Sequence, residues 1–365
     1  MSEPRYRLRS SVEAVCGRDG SLFLVRACEE DLLVRDAVEA DHALLALLGA
    51  GEPSLSELTA AIGLDAEAKL TSLIAAGVVV QAASSPALAG DDAERYARQL
   101  PYLADFGDER VLQRRLGNAC VAVVGCGGLG TWAICALAAA GVRRFRVVDD
   151  DTVELSNLNR QVLYSPAQLG AAKTGATEQW LRRFDEQVEV EELRLRVDSP
   201  AAADAVVEGA DVLVLAADSP PYELARWINQ ACVRERVPFI TAGQLPPLAK
   251  VGPLYWPGRT ACFACHELAL RRESQDYDAY VEHIGSAPVR GATLGPASGV
   301  VGSMLAMELV HLLIGAEPAS AGAALLVDLR TFGVRREPIA RDPACPACQP
   351  QTRQIGSTAS VTGGS

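Results

Sequence analysis

An apolar run, Val121–Val124, leads directly into Gly125-x-Gly127-x-x-Gly130, and a second apolar run, Phe145–Val148, follows and ends at Asp149. This order most constrains the fold. A strand that turns on glycines into a helix and returns as a second strand is a βαβ unit, and such units build parallel sheets with helices on their faces. Asp149 follows the last glycine by about the twenty residues expected of a ribose-binding acid. The glycines and this acid fit NAD and ATP equally well.

Further along, Val212–Ala216 and Pro238–Thr241 read as buried parallel strands, with helices starting near Gly128, Ala171 and Tyr222. The expectation is a doubly wound, Rossmann-like α/β domain. At 365 residues and 49% hydrophobic content the chain can bury a real core and divide into two domains. The formal net charge of −12 argues against general binding to nucleic acid or anionic membrane. The opening MSEPRYRLRS has no apolar core of a secretory signal, so a cytoplasmic location is expected. The apolar stretch Val300–Ile314 carries Glu308 and His311 and reads as a buried helix.

The segment before residue 84 has a different pattern. VEAVCGRDGSLFLVRACEEDLLVRD alternates around a Gly-Arg-Asp-Gly turn, as short antiparallel strands do. DHALLALLGAGE and SLSELTAAIGL read as helices, the second capped by Ser54 or Ser56, and EAKLTSLIAAGVVVQ as a helix and a small strand. The expectation is a winged-helix-like α+β module over 1–83 and a linker over 84–93. The second domain then covers 94–350 and a disordered tail 351–365. The module lacks a basic recognition helix, so DNA is not its expected partner. His266–Gly295 reads as a mobile crossover.

Two C-x-x-C pairs, Cys262/Cys265 and Cys345/Cys348, can each clasp one side of a tetrahedral zinc ion. The other six cysteines (Cys16, Cys28, Cys120, Cys126, Cys135 and Cys232) read as buried core thiols.

RYARQL at Arg95–Leu100, DDTVELSNLNRQ, GAAKTGA, LVLAADSP, GVVGSMLAMELV and the paired cysteines occur in one order. In this order the chain resembles the ThiF/MoeB/ubiquitin-activating, E1-like family of adenylating enzymes, over roughly Glu94 to Gln349. That resemblance implies ATP rather than NAD. It implies backbone contacts to the nucleotide from Gly125, Gly127, Gly128 and Gly130, with Asp149 on the ribose. It also implies Arg160, Lys173 and Asn157 at the phosphates, Asp218 holding magnesium, and Arg98 reaching the other subunit's site across a homodimer. Arg98, Arg160, Lys173 and Asp218 are then the catalytic set.

A peptide carboxylate, with a pKa near 3.3–3.7, is already an anion at neutral pH and needs no general base to attack a phosphate. The obstacle is repulsion between anions, which cations and backbone N–H groups relieve. Many relatives pass the activated carboxylate to a cysteine before the closing helix. Residues 266–299 of this chain contain none, so no thioester relay is expected.

GSLFLVR, LLALLGAG, SELTAAIGL and LIAAGVVV resemble the PqqD-like peptide-recognition module and the clamp of microcin-type peptide adenylating enzymes. The expected function is adenylation of the C-terminal carboxylate of a ribosomally made precursor peptide. The rivals are a ubiquitin-like sulfur-carrier substrate and a non-enzymatic leader-binding scaffold.

Overall fold

The computed structural model describes residues 3–9, 11–26, 30–82, 86, 88–286 and 292–348. Cys28, most of the expected linker's start and the expected tail lie outside them. The chain forms two compact units. The first comprises Met1–Ala119, Leu137–Arg144 and Val310–Glu317, and the second holds the remainder.

In the first unit, β1 (Tyr6–Leu8), β2 (Val12–Cys16), β3 (Leu22–Arg26) and β4 (Leu32–Val34) precede α1 (Glu39–Ala50), α2 (Leu55–Ile62), α3 (Ala66–Ala75) and β5 (Val79–Gln81). Strands β2, β3 and β4 form an antiparallel sheet, and β5 pairs with β1. Alternation along β3 sends Leu22 and Leu24 inward onto Leu44, Leu45, Leu48, Leu58 and Leu70. Ser54 starts α2 with a reciprocal capping box: its Oγ accepts from Glu57 N, and Glu57 Oε2 accepts from Ser54 N. Short helices α4 (Asp92–Arg95), α5 (Leu100–Ala104) and α6 (Glu109–Asn118) follow.

The second half of the chain runs β6 (Cys120–Val124), α7 (Gly128–Ala139), β7 (Arg144–Val148), α8 (Lys173–Phe184), β8 (Glu189–Leu193), α9 (Pro200–Val207), β9 (Val212–Leu215) and α10 (Glu223–Glu235). Then come β10 (Phe239–Leu245), β11 (Leu248–Tyr255), α11 (Phe263–Glu273), α12 (Tyr277–Ser286), α13 (Gly295–Ile314), β12 (Ala323–Asp328) and β13 (Gly333–Pro338). The sheet order is β13-β12-β11-β10-β9-β6-β7-β8. Strands β6, β9 and β10 are parallel neighbours, whereas β10 to β13 are joined antiparallel. The chain therefore leaves β6 toward β7 and β8 on one side and returns to β9 and β10 on the other. That reversal opens the crevice in which doubly wound sheets bind ligands.

Two glycines make this crevice possible. Gly125 has φ +97°, and a Cβ there would lie 2.7 Å from Ala217 N; one on Gly130 would lie 1.9 Å from Gly125 O. No side chain fits either position.

Two expectations require correction. Residues 266–286 are not a mobile crossover, because α11 and α12 account for most of them. Arg226 grips Glu267 in α11 through three contacts of 2.7–3.1 Å, and the Tyr277 hydroxyl donates to the same carboxylate at 3.2 Å. The single cysteines are also not uniformly core. Cys126 and Cys232 are buried, but Cys120 and Cys135 are partly exposed and Cys16 is exposed. Cys16 ends β2 at the turn, where its Sγ lies 3.4 Å from His42 Nδ1. Helix α13 is long and apolar enough to cross a membrane by length and composition. Within the fold, Val301, Leu305 and Leu309 are fully buried, and Glu308 accepts a hydrogen bond from Ser320 N at 2.6 Å.

Candidate active site

The glycine loop is tied down from several sides. Asp149 Oδ2 accepts from Cys126 N at 2.7 Å, and its Oδ1 accepts from Asp151 N at 2.9 Å. The buried Tyr164 hydroxyl donates to Cys126 O at 2.8 Å. Burial raises the pKa of that hydroxyl and of the Cys126 thiol, so both stay protonated and neither is a nucleophile. Helix α7 begins at Gly128, where its first N–H groups have no partner inside the helix and carry the positive end of the dipole. A Cβ on Gly127 would meet nothing closer than Gln161 Nε2 at 4.0 Å, which leaves that backbone open to approach.

Arg160 lies against this loop. Its Cγ and Cδ are 3.4 Å from the position of a Gly128 Cβ, and its Nη1 donates to Ser156 O and Asn159 Oδ1. Trp132 Nε1 on α7 donates to Arg160 O at 3.1 Å, fixing the backbone beneath the guanidinium. Lys173 opens α8 and is 6% exposed, and its Nζ donates to Asp151 Oδ2 at 2.7 Å. Asp151 is itself largely exposed, so it holds the ammonium without neutralising it in a dry interior.

Three further expected residues have other surroundings. Asn157 is buried and its Oδ1 accepts from Glu154 N, so it caps its own short turn. Asp218 is exposed, three residues beyond β9, and follows the Ala216–Ala217 backbone that packs on Gly125. It makes no side-chain hydrogen bond among the described residues. Arg98 is exposed in the turn between α4 and α5, in the first unit. Carboxylate ligand atoms of Asp149, Asp150 and Asp151 come within 4.8 Å of one another, a second group able to meet a cation.

Sequence reading passed over Gln161 and Gln244. Each has a buried Oε1 with no hydrogen-bond partner among the described residues, one beside Gly127 and the other on β10. Gln161 follows Arg160 directly and could have been singled out with it. Gln244 carries no local signal.

The cysteine pairs converge. All four Sγ atoms lie within 4.8 Å, with Cys262–Cys265, Cys262–Cys345 and Cys265–Cys348 separations of 3.9, 3.6 and 3.4 Å. Tetrahedral Zn–S bonds of about 2.3 Å place sulfurs about 3.8 Å apart, so the donor set fits zinc. His266 faces elsewhere: its Nδ1 lies 2.9 Å from the Tyr255 hydroxyl. Burial and the neighbouring Lys250 charge hold its pKa down to about 4.

Known proteins resemble this chain. The ThiF family model matches residues 96–347. Adenylyltransferase and sulfurtransferase MOCS3 of Sus scrofa is 35% identical over 263 residues, covering 72% of this chain and 54% of that protein. The chain thus spans about half the length of that relative. The sulfur carrier protein ThiS adenylyltransferase of Escherichia coli is 32% identical over 257 residues, 70% of this chain and 95% of that one. The crystal structure of E. coli MccB with AMPCPP and MccA superposes with a TM-score of 0.76 at 25% identity, over 94% of this chain and 100% of that one. With its glycine loop, its sheet reversal and a family match over most of its length, the chain belongs to the ThiF family.

Proposed function

We propose that the protein is an ATP-dependent adenylyltransferase that activates the C-terminal carboxylate of a peptide as an acyl-adenylate. The observation that carries the peptide reading is the likeness to MccB across 94% of the chain. So wide a match takes in most of the N-terminal module as well as the ThiF region. MccB itself was crystallised with a nucleotide analogue and with MccA.

The carboxylate attacks the α-phosphorus, the bond to the bridging oxygen breaks, and pyrophosphate leaves. Arg160, Lys173 and the α7 N-terminus hold the phosphates against their mutual repulsion, and Asp149 receives the ribose hydroxyls. Asp218 would hold magnesium, which when bound screens the phosphate charge. Arg98 has no side-chain partner among the described residues, which suits a role at a second subunit's site in a homodimer. The adenylate is released or taken by a nucleophile of the substrate, since residues 266–299 carry no cysteine and Cys232 is buried.

The module would take the peptide by strand addition. Strand β2 is an edge of its sheet, and a groove of about 760 Å³ beside it is lined by Val12, Ala14, Leu22, Leu45 and Leu48.

The second reading, a ubiquitin-like sulfur carrier as substrate, is favoured by the 32% identity to the sulfur carrier protein ThiS adenylyltransferase, against 25% to MccB. One experiment separates the two. Pyrophosphate exchange is measured with octapeptide pools, each with one defined last residue and a free carboxylate, and in parallel with ThiS. Exchange with ThiS alone rejects the peptide reading, and exchange with neither rejects adenylation.

We place structural zinc at Cys262, Cys265, Cys345 and Cys348. Cys345→Ser is expected to lose about one zinc per chain and to lower Tm by several degrees, because metal binding is part of folding at such sites. Exchange per folded molecule should be unchanged. Elemental analysis that finds no zinc in wild-type protein purified without chelator rejects the assignment.

A further inference from the structure

An amide on β10 has no use in the scheme above. Gln244 pairs with Ala249 across the β10–β11 hairpin. Its Nε2 donates to Thr293 Oγ1 at 2.5 Å and to Ser298 Oγ at 2.9 Å, and these two hydroxyls are 3.3 Å apart. Ser298, in the first turn of α13, is fully buried, and its Oγ lies 3.0 Å from the position of a Cβ on Gly128. Gln244 is therefore one hydrogen-bonded neighbour away from the glycine loop.

A carboxamide has two N–H donors and a carbonyl oxygen able to accept twice. Both donors of Gln244 are engaged, which fixes the plane of the amide. Its Oε1 is buried and has no donor among the described residues. A buried acceptor left unmatched costs stability, and native folds keep few of them. A ligand that supplies an N–H or O–H would satisfy it.

At the phosphate end of ATP, the phosphates and the attacking carboxylate offer only acceptors, the ribose hydroxyls have Asp149, and the adenine amino group lies beyond the ribose. The carboxylate must come within about 3–3.5 Å of phosphorus. Every peptide that does not end in proline then brings one more donor at a set distance, the N–H of its last peptide bond. The geometry points to Gln244 Oε1 as the acceptor for that terminal N–H, with Thr293 and Ser298 orienting the amide. Gln244 thereby becomes a substrate-contacting residue that selects chains with a secondary amide next to the carboxylate. This inference rests on the adenylation reading, and a peptide and a carrier-protein tail would satisfy it alike.

The test compares wild type with Gln244→Met in pyrophosphate exchange. The probes are the most active octapeptide pool, the same pool with its last amide N–H replaced by an ester oxygen, and ThiS. Loss of one buried hydrogen bond should raise the peptide KM about tenfold while the ATP KM stays unchanged. Tm should change little, since the substitution removes an unmatched acceptor together with the two hydrogen bonds donated to Thr293 and Ser298. The ester probe should cost the wild type about tenfold in kcat/KM and the variant almost nothing further. A variant that remains fully sensitive to the ester, or whose KM is unchanged for the peptide and for ThiS alike, overturns the inference alone. A lowered Tm with unaltered KM makes Gln244 structural and also overturns it. A raised KM for ThiS in place of the peptide keeps Gln244 in its role and assigns the tail to the carrier. Wild-type protein that exchanges with no probe overturns the adenylation reading, and this inference with it.

Discussion

Arg160→Ala and Lys173→Ala are each expected to cut carboxylate-dependent pyrophosphate exchange by about ten- to a hundredfold, with circular dichroism unchanged. A charge-assisted hydrogen bond contributes on the order of 1.5–3 kcal/mol, which converts to that range if it is made mainly in the transition state. The structure separates the two variants in detail. The Arg160 stem covers Gly128, so its truncation also opens the loop and should raise the ATP KM. Lys173 is held by Asp151, which is largely exposed, so losing the lysine leaves no stranded buried carboxylate and should fall mainly on kcat. Wild-type exchange in both variants would sink the mechanism.

Deleting Met1–Ser84 is expected to weaken peptide binding by at least about a hundredfold while ATP binding stays within about twofold, because tethered recognition multiplies affinity without touching the reacting centre. The module has its own core, and the glycine loop, Arg160, Lys173 and Asp218 all lie in the second unit. Within the first unit the module is held partly by charge, with Arg7 2.6 Å from Glu109 and Ser11 donating to Asp105 at 2.6 Å. Two titrations decide the outcome, and a large excess of peptide should restore much of the exchange rate. Unchanged peptide affinity would refute the recognition role and favour a carrier protein held by the ThiF region.

The parts of the site legible in the sequence are those carried by short-range rules. A glycine needed at φ +97°, an acid closing the second strand and cysteines three residues apart are local requirements, and each leaves a local mark. Asn157 shows the limit of that approach. Its place in the motif suggests a phosphate contact, and its Oδ1 also caps the turn by accepting from Glu154 N, a use the motif does not announce. The single cysteines failed for a similar reason: apolar neighbours do not reveal that Cys16 ends a strand at a turn open to solvent.

The βαβ start, the alternation of the module's strands and the two thiol pairs follow from the sequence, because neighbours within a few residues settle each of these. Only the tertiary structure decided that Asp151 is the partner of Lys173, that Cys262 and Cys345 lie 3.6 Å apart across 83 residues of chain, and that Gln244 meets Ser298 beside the glycine loop. Each of those pairs is brought together by sheet order and helix packing, with segments far apart in the chain. Periodicity records which face of an element is buried, and it holds no record of which distant side chain will meet it there.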